Sequence, residues 1–221
     1  MPKSRRYILF LHHKYTKQET VYYQKLLKGA TTIAVDGGIS FFLKNKTKPD
    51  ILIGDFDSAP KLSSKYLQDI EVITHPLEKD KTDTQLALEL ALDREAEDIK
   101  ICGVTGTTEI DHTLGNILLL DQVCRYNRKY NLNITARMIC PDWEAQIIKD
   151  QTIELKSKKN DTLSIIPLSE NCRIDYSGLY YPCPNKKLQF GDTLTLRNRF
   201  TERTAKVTVK GRALVAVVFN K

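Results

Sequence analysis

Residues 49–58 read Pro-Asp-Ile-Leu-Ile-Gly-Asp-Phe-Asp-Ser. Three consecutive aliphatic residues, Ile51–Ile53, run into a glycine and then into two carboxylates one residue apart, Asp55 and Asp57. A short apolar run without alternation reads as a strand buried on both faces, and such strands belong to parallel sheets covered by helices. The acids fall where this strand leaves the sheet.

Working outward, the arrangement repeats. Thr32–Val35 is followed by Asp36-Gly37-Gly38, and Glu71–Thr74 leads into Lys79-Asp80-Lys81-Thr82-Asp83. Ile99–Cys102 leads, through a loop with Gly103 and Gly106, to Asp111-His112. Tyr7–Leu11 and Ile134–Ile139 read as further buried strands. Thr84–Glu95, with Leu86, Leu88, Leu90, Leu92 and alanines, and Thr113–Tyr130, with Leu114, Ile117, Leu118, Leu120, Val123 and Cys124, read as helices. Strand and helix in alternation imply crossovers and a mostly parallel α/β sheet.

The pattern changes near Asp142. From Gln151 onward only strand-like segments occur: Thr152–Leu155, Thr162–Ile166, Arg173–Tyr176, Thr193–Leu196, Ala205–Val209 and Leu214–Phe219. Asn160-Asp161, Phe190-Gly191-Asp192 and Lys210-Gly211-Arg212 read as the turns between them. The expected architecture is an α/β domain over residues 1–145, followed by a small all-β sandwich, jelly-roll-like, over residues 146–221.

The net charge of +7 is uneven: Gln151–Lys221 holds 13 Lys and Arg against 6 Asp and Glu, which leaves the first 150 residues neutral. Solvated side chains on exposed strand faces account for most of that excess. The apolar stretch Ile8–Leu11 is too short for a signal peptide or a membrane span. Five cysteines, an odd number with no C-x-x-C, indicate reduced thiols rather than a disulfide framework or a zinc site, and a cytoplasmic protein.

In an open parallel sheet, ligands bind outside the carboxyl ends of the strands. Four loops therefore bring Asp36, Asp55, Asp57, Asp80, Asp83 and Asp111 to one rim. Carboxylates gathered there repel one another unless a cation is present. Mg²⁺ takes oxygen ligands and keeps part of its shell for substrate phosphates, so an acidic rim recruits ATP instead of repelling it. Each acid alone has a plainer reading: Asp36-Gly37-Gly38 as a turn, Thr82 or Asp83 and Asp57-Ser58 as helix caps. Their recurrence after successive strands favours chemistry. No G-x-x-x-x-G-K-[ST], G-x-G-x-x-G or G-x-S-x-G occurs. His12 and His13 end the first strand, and at most one of them faces the rim. His75 reads as a loop residue, and His112 stands beside Asp111 at a helix start.

The order D-G-G, P-D-x-x-I-G-D-F-D-S, K-D-x-T-D and D-H-T-L-G-N resembles the thiamine pyrophosphokinase family, over most of the first 120 residues. Ser177-Gly178-Leu179-Tyr180-Tyr181-Pro182 is similar to that family's G-L-x-[WY]-P segment, and Asn198 to an asparagine in an S-N-E-F-like stretch. The resemblance implies pyrophosphoryl transfer from ATP to the thiamine hydroxyl, with release of AMP. It implies Mg²⁺ on Asp55, Asp57 and Asp83, and Asp83 and Asp111 as catalytic residues. Asp36, Gly37, Ser58 and Thr82 would bind nucleotide. Asp36, Lys79, Asp80, Thr82, His112, Tyr181 and Asn198 would bind substrate. It also implies a homodimer with sites at the subunit interface, where Tyr181 acts on the partner's site, with no membrane or nucleic-acid partner. Two features depart from the pattern. Thr107-Thr108-Glu109 makes the glycine loop one residue longer and puts a carboxylate where the family has arginine, and Arg197 replaces a small serine.

Other readings predict different behaviour. The Asp55-Phe56-Asp57 pair superficially resembles the D-x-D of haloacid-dehalogenase phosphatases, but those place it after the first strand. A divergent phosphotransferase would use another alcohol. A nucleic-acid-binding relative would show affinity that falls steeply with salt.

Overall fold

The computed structural model describes residues 5–55, 62–76, 78, 80–104 and 110–220. The chain forms two compact units, Met1–Cys140 and Pro141–Lys221.

Among the described residues the first unit holds six strands: β1 (Arg6–Phe10), β2 (Thr31–Val35), β3 (Ile51–Gly54), β4 (Glu71–Thr74), β5 (Asp98–Cys102) and β6 (Thr135–Cys140). They lie in the order β6-β5-β1-β2-β3-β4, and every pairing is parallel. The runs around Ile51–Ile53 thus form a parallel sheet, but β4, expected to be buried, is a mostly exposed edge strand with Val72 open to solvent. Among the described residues five α-helices accompany them: α1 (Lys17–Gln24), α2 (Ile39–Lys44), α3 (Ser64–Leu67), α4 (Asp83–Asp93) and α5 (Ile110–Tyr130). Helix α4 buries Ala87, Leu88, Ala91 and Leu92, one stripe at helical spacing. Helix α1 escapes hydrophobic periodicity because it buries only Glu19 and Tyr23; a capping box between Thr16 and Glu19 starts it. Helices α2 and α3 are a turn or so long, too short to show a period.

An aromatic cluster anchors the β1 end of this unit. Phe10 stacks on Phe41 at 4.3 Å and meets Tyr23 and Phe42 edge-on. The buried Tyr23 hydroxyl donates to the Ile139 carbonyl at 2.9 Å, which satisfies its polar atom, and burial holds this phenol well above its usual pKa. Asp50 is committed to structure as well: its carboxylate accepts from the Thr32 amide and hydroxyl, both at 2.7 Å, tying the start of β3 to β2.

The second unit is antiparallel throughout: β7 (Trp143–Lys156), β8 (Thr162–Pro167), β9 (Cys172–Ser177), β10 (Cys183–Leu188), β11 (Asn198–Arg199) and β12 (Thr204–Val218). The first half of β12 pairs with β7 and β9, and the second half with β7 and β8. β10 extends one side and β11 the other, so the long β7–β12 ribbon runs through both sheets of a sandwich. Leu163, Ile165, Ile174, Val207, Val209 and Val215 fill the core.

Several expected boundaries change here. Lys210-Gly211-Arg212 is not a turn. Gly211, at φ +99°, sits where the register shifts between Val209 and Arg212, so a bulge bends one strand without ending it. Thr193–Leu196 forms no strand; pairing falls instead on Asn198–Arg199, against Leu163 and Thr162. β10 was invisible to hydrophobicity because only Cys183 and Leu188 of its six residues are buried. β7 begins at Trp143, ahead of the expected domain boundary. None of the five cysteines is in a disulfide.

Candidate active site

The residues expected at the rim stand at the carboxyl ends of β2 and β3 and in the first turns of α4 and α5. Asp36 ends β2 in a left-handed conformation, φ +45°, and opens a single 3₁₀ turn with Gly37 and Gly38. The two glycines are there for space. A Cβ on Gly38 would collide with the Phe10 carbonyl, and one on Gly37 would lie 2.6 Å from the His12 ring. D-G-G thus docks the end of β2 against the end of β1.

Gly54 closes β3 at φ +153°, and a Cβ there would overlap the Asp36 carboxylate. The Asp36 side chain therefore lies on the backbone directly before Asp55. Two acids 19 positions apart in the chain are brought together because β2 and β3 are parallel neighbours with Val35 opposite Ile53. Both are partly buried.

Thr82 caps α4, its hydroxyl accepting from the Gln85 amide at 3.3 Å, and Asp83 is the first helical residue. A carboxylate here meets the positive end of the helix. Asp80 is exposed in the preceding bend. Asp111 and His112 lie exposed in the first turn of α5, where the Asp111 carboxylate accepts from the His112 amide at 2.9 Å. A pocket of about 370 Å³ joins these two helix starts, lined by Thr82, Gln85, Asp111, His112, Gly115, Asn116 and Leu119. It brings the third and fourth motifs to one place.

Gly115 and Asn116 stand in the D-H-T-L-G-N motif with no role assigned from sequence, and Gln85 and Leu119 lie outside the motifs read there. The signal was available: Gly115 and Leu119 follow Asp111 at steps of four, and Gln85 follows Thr82 by three, so each pair shares a helix face. Gly115 is informative. A Cβ there would meet nothing within 4 Å among the described residues, so none of their packing requires a glycine in mid-helix.

The two histidines after β1 diverge. The exposed His12 packs its ring over Gly37. His13 turns inward, its side chain 8% exposed, and pairs its Nε2 with Glu19 at 3.0 Å. His12, His13, Lys14, Tyr15, Ser40 and Lys44 line a second pocket of about 310 Å³.

Asp57, Ser58, Lys79, Thr107, Thr108 and Glu109 lie outside the described residues. Among the described residues, no three His, Cys, Asp or Glu side chains form a group that could hold a metal. Asp36, Asp55 and Asp83 nonetheless offer the hard oxygen donors that suit Mg²⁺, two of them at adjacent strand ends. The D-x-D segment follows the third strand in sequence, not the first, unlike the phosphatase arrangement.

In the second unit, Tyr181 is 64% exposed and meets Tyr180 edge-on at 4.9 Å. The Arg199 guanidinium covers the Tyr180 ring at 3.8 Å, so that face is occupied. Asn198 is buried and bonds to the Tyr181 backbone. Arg197 adopts φ +53°, its amide donating to the Ser164 hydroxyl at 3.0 Å.

Comparison with known proteins gives one consistent result. Residues 23–135 match the family model for the thiamin pyrophosphokinase catalytic domain, and residues 150–214 the one for its vitamin B1 binding domain. The thiamine pyrophosphokinase of Bacillus subtilis is 32% identical over 170 residues, covering 75% of this chain and 76% of that one. A crystal structure of the Bacillus subtilis enzyme superposes with a TM-score of 0.79 at 25% identity, covering 97% of this chain and 100% of that one. The thiamin pyrophosphokinase of Candida albicans shares the fold at TM-score 0.76 and 18% identity, over 97% of this chain and 89% of that one.

Proposed function

The chain belongs to the thiamin pyrophosphokinase family, and from that premise we infer that it transfers a pyrophosphoryl group from ATP to the hydroxyl of thiamine, giving thiamine pyrophosphate and AMP. The observation that carries the site assignment is the shared pocket at the starts of α4 and α5, with Thr82 on one wall and Asp111 and His112 on the other.

In this reading Asp55, Asp57 and Asp83 hold Mg²⁺, which neutralises charge on the transferring phosphates when bound. Asp36, Gly37, Ser58 and Thr82 place the nucleotide, and Lys79 offsets phosphate charge. The acceptor hydroxyl enters between the helix starts, where Asp111 takes its proton as it attacks the β-phosphorus. Asp111 suits that role because it is exposed at the pocket edge, with one oxygen steadied by the His112 amide. Asp80 and His112 border the acceptor's path. Tyr181 offers a ring face to the permanently cationic thiazolium, and the acidic rim favours the same charge. Holding both reactants in line supplies much of the barrier reduction.

A homodimer in which Tyr181 serves the partner's site, and a cytoplasmic location, complete the proposal. No helix among the described residues is long and apolar enough to cross a membrane. The decisive experiment incubates the chain with Mg-ATP and thiamine and separates the products. AMP and thiamine pyrophosphate in equal amounts are expected; ADP, or nucleotide turnover indifferent to thiamine, would refute the assignment.

A further inference from the structure

We propose that Asn198 is a positioning residue: it sets where the Tyr181 ring stands, is itself held by Tyr176, and does not touch the acceptor. The inference rests on the reading of Tyr181 as a thiamine-facing ring.

Asn198 is 3% exposed, and its amide is fully committed. Its Oδ1 accepts from the backbone amides of Tyr181 at 3.1 Å and Arg199 at 2.9 Å. Its Nδ2 donates to the Tyr181 carbonyl at 2.8 Å and to the Tyr176 hydroxyl at 3.1 Å. A carboxamide has two acceptor sites and two donors. All four are used, and none remains for a ligand. Two backbone N–H groups at one end and a carbonyl at the other also fix which way the amide points.

The arrangement substitutes for a missing strand partner. The chain at Gly178–Tyr181 runs beside β11 and its extension: Thr201 donates to Gly178 at 3.1 Å, Leu179 bridges Phe200, and Tyr180 donates to Arg199 at 3.0 Å. There the ladder stops. The next residue, Tyr181, receives both of its backbone bonds from the Asn198 side chain instead. Its ring is largely exposed and meets Tyr180 edge-on, so packing among the described residues does little to place it. The backbone brace places it. Tyr176 closes the chain of contacts: it is buried, and desolvation raises its phenol above the usual pKa, so it stays neutral and its hydroxyl accepts from Nδ2.

A residue acting through Tyr181 and one touching thiamine predict different couplings. The test is a double-mutant cycle with Asn198→Asp, Tyr176→Phe and Tyr181→Ala, reading kcat, KM for thiamine, KM for ATP and the unfolding midpoint. Asn198→Asp keeps the acceptor and loses both donors, so KM for thiamine should rise about tenfold, and Tyr176→Phe, which loses one bond to the brace, about threefold. The KM for ATP should not move. In the Tyr181→Ala background neither substitution should raise KM for thiamine further, because the ring they place is gone. Additive effects would mean that Asn198 contacts the acceptor itself, and would overturn the proposal. So would an unchanged KM for thiamine in both single variants, or an equal loss across all three kinetic parameters, which marks general damage. If Asn198→Asp does not fold, Tyr176→Phe carries the same cycle. Should Tyr181→Ala leave KM for thiamine unchanged, the thiamine-facing reading fails first, separately from the brace.

Discussion

The two units build their chemistry in opposite ways. In the first, the groups proposed for the chemistry are charged side chains at the ends of buried strands and the starts of helices, and at one of them the backbone gives way: Gly54 yields its Cβ so that Asp36 can lie against it. In the second, the exposed group is an aromatic ring on an irregular segment, and a buried amide reaches out to hold that segment. Acids on a rigid frame can be replaced without disturbing the fold, whereas a ring on a brace moves whenever the brace is altered. Substitutions in the first unit should therefore change turnover and leave stability alone; those in the second should change acceptor binding and stability together.

The largest expected effect tests the first half of that contrast. Asp111→Asn should lower kcat by about 10²- to 10⁴-fold, the range for a lost general base, with an unchanged unfolding midpoint because the side chain is exposed. Asp83→Asn should raise the Mg²⁺ concentration for half-maximal rate by at least about tenfold, read from a magnesium titration of the rate. An unchanged titration would remove Asp83 from the metal site.

Gly54→Ala should blur the contrast, since it displaces Asp36 and strains the backbone at once. Turnover should fall, with a loss of about 1–3 kcal/mol in denaturant unfolding. Gly115→Ala sharpens it in the other direction. The added methyl projects into open space, so the helix should gain about 0.5–1 kcal/mol while KM for thiamine rises as the pocket shrinks. A more stable variant with unaltered kinetics would show that Gly115 does not border the acceptor.

The smallest effect concerns pH. Burial alone would raise Asp161, but hydrogen bonds from the Ser157 hydroxyl and the Lys158 and Asn220 amides outweigh it and hold this carboxyl below its usual pKa. A group depressed in the folded state stabilises above the ordinary carboxylate range, and that stability fades as pH falls through the folded value. Asp161→Asn should therefore flatten the acid limb of the unfolding midpoint between about pH 5 and pH 2, with activity at neutral pH little changed.

How much was legible follows the same contrast. The parallel sheet could be read because Tyr7–Leu11, Thr32–Val35 and Ile51–Ile53 are buried on both faces and so are apolar without interruption. Asp36 and Asp55 could be read because each follows such a run within two residues, whereas Asp83 and Asp111 stand farther on, at helix starts. Asp50 belongs to the same motif as Asp55, yet it is spent on Thr32, a role that only the pairing of β2 with β3 reveals. In the sandwich, alternation located β8 and β9 but missed β10, whose lysines face water, and misread Gly211 because a bulge and a turn call for the same residue.

Composition and order along the chain were enough to settle the α/β-then-β architecture and the family likeness, since strand burial and the acids that follow strands are local facts about short segments. Tertiary structure alone decided that Asp36 rests on Gly54, that Thr82 and Asp111 share a pocket, and that Asn198 holds Tyr181 from 17 residues away. Those facts depend on strand register and on which buried polar atoms find one another, and neither is set by any window of sequence short enough to read.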